Sequence, residues 1–138
     1  MPASYLIDTV QRFVFSRGWG VLTDDELLWH AEALRADTRF DPGFRQIANL
    51  MDVRHVRVTP QGVRNLAQFN PFRPDSRRAI AVPSDLAFAL ARMFEAHTSS
   101  DQEQFRVFLA LGPALEWVGL DPAALWPERE PDAIIGVP

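Results

Sequence analysis

The chain has 138 residues and a net charge of −4, with no cysteine and no lysine, so that all 14 basic residues are arginine. Those absences exclude a disulfide framework, a thiolate nucleophile, cysteine-ligated zinc, a lysine Schiff base and a P-loop. The length suits one domain with one core, and the negative total argues against a general nucleic-acid binder.

Tyr5-Leu6-Ile7 predicts a first short strand, and Phe13-Val14-Phe15 opens a second that runs to about Trp19 between Gly18 and Gly20. Thr23-Asp24-Asp25-Glu26 is a capping box: the threonine hydroxyl accepts from a backbone N–H three residues on, and Glu26 reaches back. Its acids also suit the positive end of a helix dipole. Leu27, Leu28, Ala31 and Leu34 give that helix an apolar face, and Asp41-Pro42-Gly43 ends the connection after it. Phe44 to Met51 reads as a strand with Ile47 and Leu50 facing the core.

Thr59-Pro60 is a cap followed by proline at the first helical position, Val63, Leu66, Ala67 and Phe69 carry the helix, and Asn70-Pro71 stops it. Arg78 to Val82 is a short buried-type strand. Ser84-Asp85 caps a third helix with Leu86, Ala89, Leu90, Met93 and Phe94 as its apolar face. Phe105 to Phe108 is a last strand, followed by a helix with Leu111, Ala114, Leu115 and Val118 inward.

The order ββαβαβαβα predicts an α/β domain: a mixed, mostly parallel sheet of about five strands with about four helices packed on it. From Asp121 onward Pro122, Pro127, Pro131 and Pro138 interrupt the chain. The expected division is therefore a domain over 1–120 and a proline-rich tail over 121–138, with Trp126 and Ile134-Ile135 able to dock on the domain or a partner. No apolar run reaches the ~18 residues of a membrane span. Asp8 and Arg12 stand where a signal peptide would be apolar, so the cytoplasm is the expected compartment.

Several stretches together carry a resemblance. They are Tyr5-Leu6-Ile7-Asp8, Gly20 to Leu27, Leu34-Arg35-Ala36-Asp37, Phe40 to Arg45, Arg78 to Ala81, Ala91 to Phe94, Val107-Phe108 and Ala114 to Val118. Over roughly residues 4–120 the pattern resembles the SpoIIAA-like (STAS-like) group of small bacterial proteins. The resemblance implies a compact α/β domain whose mixed sheet has an antiparallel edge. The better-known relatives are anti-sigma-factor antagonists with a phosphorylatable serine in an Asp-Ser-Ser-Gly-like turn. The matching turn here is Thr59-Pro60-Gln61-Gly62, so the acceptor position holds Pro60 or Gln61 and the phosphoswitch is not expected. Other members are similar to CRAL-TRIO-type lipid carriers, which implies an apolar ligand or a membrane surface.

No catalytic residue, metal or cofactor is assigned. His30, His55 and His97 lie in separate elements, without the helical i, i+4 spacing of a metal pair. The serines show no G-x-S-x-G elbow. One segment has a specific physical consequence: Val53 to Ser84 holds six arginines and one acid, Asp75, for a local charge of +5 against −9 elsewhere. Helix N-termini and strand ends share one edge of such a sheet, where anions are favoured. A candidate anion or anionic-surface site is Arg54, His55, Arg57 and Thr59, with the arginines in the connection leading to the helix. The competing reading is that these arginines are solvated or paired with acids. Phe69, Phe72, Phe88, Phe94, Phe105 and Phe108 are candidates for an apolar pocket, or simply core.

The function expected from these observations is a non-enzymatic regulatory or binding module acting through an unidentified protein partner. The alternative is a carrier or sensor of a lipid-like or anionic small molecule, including at a membrane surface. No nucleic-acid partner is expected; a homodimer, with the tail pairing across subunits, stays open.

Overall fold

The computed structural model describes residues 3–98 and 104–121. Five strands and four helices follow one another: β1 (Ala3–Asp8), β2 (Phe13–Thr23), α1 (Asp24–Ala36), β3 (Arg45–Arg57), α2 (Pro60–Phe69), β4 (Arg78–Ala81), α3 (Asp85–Thr98), β5 (Phe105–Phe108) and α4 (Leu111–Trp117). The strands lie in the sheet in chain order, β1-β2-β3-β4-β5. β1 runs antiparallel to β2, and every other neighbouring pair is parallel. The expected α/β architecture and its element count are both observed.

Strand alternation sends successive side chains to opposite faces. On one face Phe13, Phe15, Ile47, Ala79 and Ala81 pack against Ala114 and Leu115 of α4 and Val118 at its C-cap. On the other face Tyr5, Ile7 and Val14 meet Leu34 of α1, and Ile80 meets α2 and α3. α2 packs on both α1 and α3, so three helices form one layer and α4 stands alone across the sheet.

The helix starts follow from local chemistry. Thr23 Oγ1 accepts from the Glu26 N–H (3.4 Å), and the Glu26 carboxylate accepts from the threonine hydroxyl (3.0 Å) rather than from the backbone. Thr59 Oγ1 accepts from the Gly62 N–H (3.0 Å), and Ser84 Oγ from the Ala87 N–H (3.2 Å). Each such cap stabilises by about 1 kcal/mol.

Two sequence expectations are corrected. β2 continues to Thr23 and β3 to Arg57, so both outrun the strands expected from the sequence. The register shifts between Arg17 and Trp19 and between Gly20 and Val21, with Gly20 at φ +63°, where a side chain would be strained. Those irregularities keep β2 on β3 past the point where β4 ends. Arg54, His55 and Arg57 therefore belong to a strand and not to a connection. The second correction concerns α3. Leu86 is 58% exposed and Ala89 is also exposed, while Ala87, Ala91 and Phe94 are buried. The helix is rotated about its axis so that its small residues, not Leu86, meet the sheet. The expected tail, with Trp126 and Ile134-Ile135, lies outside the described residues. Among the described residues, no helix is long and apolar enough to cross a membrane.

Candidate functional site

Between the sheet and the α1–α3 layer lies a cavity of about 150 Å³. Its position follows from side-chain size. Ala48 of β3 faces Ala31 of α1 and Ala87 and Ala91 of α3, and four alanines on opposed surfaces leave room that larger residues would close. The walls are otherwise aliphatic and aromatic, with Val53 and Val56 from the extended part of β3 at one end.

The other end is polar. Ser16 on β2, Gln46 on β3 and Arg78 on β4 all point to the helical face, and Gln46 is in register with Arg78. The Gln46 amide Nε2 donates to Ser16 Oγ (3.0 Å), and Arg78 Nε donates to Gln46 Oε1 (3.1 Å). Arg78 Nη1 donates to Asn70 Oδ1 (3.2 Å), which also accepts from the Phe72 N–H (3.2 Å). The guanidinium lies over the Phe72 ring at 4.1 Å and near Phe105 at 5.1 Å. Arg78 is only 6% exposed, so amide oxygens and ring faces replace much of the water around it.

His30 of α1 completes the row. Its Nε2 lies 3.1 Å from Ser16 Oγ, and its ring meets Tyr5 edge-on at 5.4 Å. Ser16 Oγ therefore joins Gln46, which donates to it, to His30 Nε2, with the direction of the second hydrogen bond set by the His30 tautomer. Burial first, and the Arg78 charge second, push the His30 pKa down to about 4. The imidazole is therefore neutral at pH 7. Behind it, Tyr5 O–H donates to the Ala33 carbonyl (3.2 Å) and to Asp37 Oδ2 (3.0 Å). Arg39 grips the same carboxylate through Nε (3.0 Å) and Nη2 (2.8 Å). Those hydrogen bonds from Arg39 hold the Asp37 pKa down at about 2, while burial pushes the Tyr5 hydroxyl up.

The four residues singled out from the sequence lie elsewhere. Arg54, His55 and Arg57 are exposed on β3, and the cavity is lined instead by Val53, Val56 and Val58. Arg54 and Arg57 form no ion pair among the described residues. Thr59 is engaged by the chain itself. Asp24 Oδ1 accepts from its N–H (2.8 Å) and Oδ2 from its hydroxyl (2.6 Å), so a carboxylate from α1 sits at the N-terminus of α2. Gly62 makes room for it: a Cβ there would collide with the Asp24 carboxylate.

Of the six phenylalanines considered for a pocket, Phe72, Phe94 and Phe105 line the cavity. Phe69 instead carries the Arg35 guanidinium on its ring, and Phe108 packs on the α4 side. Sequence reasoning missed Ser16, Gln46 and Arg78. Their signal was a polar residue at an inward position of an apolar strand, two residues from Val14, Ala48 and Ile80. His30 had a comparable signal, three residues after Leu27 and four before Leu34. No group of three or more His, Cys, Asp or Glu able to hold a metal exists among the described residues. In comparisons with known proteins, no family model, curated sequence or solved structure matches this chain.

Proposed function

We propose that this protein is a non-enzymatic STAS-like binding module that takes a small apolar ligand into the cavity between its sheet and α1–α3. The observation carrying this reading is the cavity, set where the close-packed core of such a domain would lie. Its volume of about 150 Å³ supports a compact guest. Apolar cavities of about that size hold a benzene-sized molecule. A long acyl chain needs the larger pockets, ~300 Å³ and above, common among ligand sites.

The Ser16–His30 contact invites a hydrolytic alternative, but its electrostatics speak against one. A base works best with a pKa near the working pH, and the His30 pKa of about 4 leaves it little affinity for the serine proton. No carboxylate contacts His30 among the described residues. The pair serves better as a fixed polar wall. The resemblance to SpoIIAA-like proteins supports the regulatory side of the reading. A ligand touching α1, α2 and α3 at once can alter how that layer meets a protein partner.

Amide NMR spectra of the full chain tested with toluene, alongside Ala91→Leu, probe the reading. Toluene is expected to shift the amides of Ala31, Ala48 and Ala91. Ala91→Leu is expected to weaken binding at least tenfold without lowering the Tm, because its added methyl groups enter the cavity. Extra carbon in a filled core instead destabilises by about 1–3 kcal/mol. Amides that stay still up to the solubility limit of toluene, or Ala91→Leu that binds toluene unchanged, overturn the proposal.

A further inference from the structure

We infer that the outer edge of β3, from Asp52 to Arg57, is a docking site where an acidic, extended segment of a partner protein adds to the sheet as a further strand. The edge serves whether or not the cavity holds a guest.

The edge is open because neighbouring strands differ in length. β3 stays paired with β2 as far as Arg57, while β4 pairs with it only from Gln46 to Asn49. The Met51 N–H turns to Asn49 Oδ1 (3.0 Å). From Asp52 to Arg57, no strand among the described residues pairs with the side of β3 away from β2. The chain after β4 does not fill the place. It turns into α3, whose Ala87 and Ala91 share a cluster with Leu50 and Val56 on the helical face, and α4 lies on the other face. His55 to Arg57 run in unbroken register with Val21 to Thr23, so this stretch keeps the regular ladder that strand addition needs. An unpaired row of backbone N–H and C=O groups is a template for another chain.

Charge selects the occupant. Arg54, His55 and Arg57 are exposed, and neither arginine forms an ion pair among the described residues. Asp52, the acid of the stretch, pairs with Arg17 (3.5 Å). The edge is therefore positive in a chain whose net charge is −4. A second copy docked here would set arginine against arginine, and like charges across paired strands destabilise, whereas acids opposite them stabilise. Leu86 at the start of α3 and Leu109 just after β5 are exposed at the same end of the sheet, and they suit apolar residues between the acids. The fitting partner is thus an extended segment in which acidic and apolar residues alternate.

The full chain is titrated by amide NMR with two end-capped seven-residue peptides, Glu-Val-Glu-Val-Glu-Val-Glu and its counterpart with lysine for glutamate. The acidic peptide is expected to shift the amides of Asp52 to Arg57 and to bind at least tenfold more tightly than the basic one. In a chain carrying both Arg54→Glu and Arg57→Glu, exposed positions where the fold tolerates the change, the preference is expected to reverse. The acidic peptide methylated on alternate backbone nitrogens keeps its charge and loses half its donors, so it is expected to lose binding, which separates strand addition from ion pairing alone. Equal binding of the two peptides, a methylated peptide as tight as its parent, or no binding at millimolar concentration overturns the inference. So does a dimer in sedimentation whose formation shifts the same amides, which assigns the edge to a second copy. Phosphatidylserine vesicles that shift these amides when the acidic peptide does not overturn it as well, in favour of a membrane surface.

Discussion

Acidification should unfold this protein through one histidine. His30 has a pKa of about 4 in the fold, against an ordinary 6.5. Between those values the unfolded chain binds a proton there and the folded chain does not. Stability is therefore complete above about pH 6.5 and is lost as the pH falls toward 4. At ~1.4 kcal/mol per pH unit the window amounts to about 3 kcal/mol. That is a large share of the ~5–15 kcal/mol that holds a domain together. His30→Gln keeps an amide near Ser16 Oγ and removes the titration. The assay is urea denaturation of both proteins at half-unit steps from pH 7 to pH 4. Relative to the variant, the wild-type midpoint should fall by about 2 M if the slope is ~1.5 kcal/mol per M. Carboxylates common to both proteins cancel in that difference. Two curves that decline in parallel refute the reasoning, since they mean that burial and Arg78 do not keep the proton off His30.

Two further outcomes are expected from contacts elsewhere in the fold. Gly62→Ala should destabilise the wild type by about 1 kcal/mol in urea melts, because the new Cβ drives Asp24 off the Thr59 N–H and hydroxyl that it satisfies. In an Asp24→Ala background the same change should stabilise by about 0.5–1 kcal/mol, the ordinary helical advantage of alanine over glycine; equal effects in both backgrounds would show that Asp24 is not the obstacle. Asp37→Asn should lower stability at pH 7 by about 1–2 kcal/mol, discounted because Arg39 is partly exposed. The Asp37 pKa is depressed to about 2 from 3.8, so its contribution is present above 3.8 and fades as the pH falls toward 2; a gap between wild type and variant that does not narrow in thermal melts from pH 4 to pH 2 would contradict this.

Much of the element order was legible because each signal is local. Thr23, Thr59 and Ser84 each accept a hydrogen bond three residues along the chain, so the cap and its helix announce each other in sequence. The end of β3 was not legible. Asp52, Arg54, His55 and Arg57 look like a solvated loop, and only pairing with Trp19 to Thr23 of β2 makes them a strand. The face of α3 was misread for a similar reason. Leu86 and Ala87 both fit a helical stripe within one residue, and it is the sheet beneath that selects the alanine.

The candidate site divides along the same line. Arg54, His55, Arg57 and Thr59 were conspicuous because they are close in sequence and in charge. Arg54, His55 and Arg57 are exposed, and Thr59 is engaged by Asp24, 35 residues earlier. The polar row that lines the cavity draws on residues 16, 30, 46, 70 and 78, no two of which are neighbours in the chain.

The sequence by itself determined the alternation of strands and helices, the caps and the class of fold. These depend on hydrogen bonds and side-chain periods that span a few residues. It also excluded thiol and lysine chemistry, since an absent residue is absent in any fold. Only the tertiary structure decided where a cavity forms and what lines it. A void depends on which small side chains oppose one another across a sheet and three helices, and Ala31, Ala48, Ala87 and Ala91 acquire that relation only when the strands are in register. The same register joins Ser16, Gln46 and Arg78 into a single polar wall and sets a buried positive charge against an apolar space.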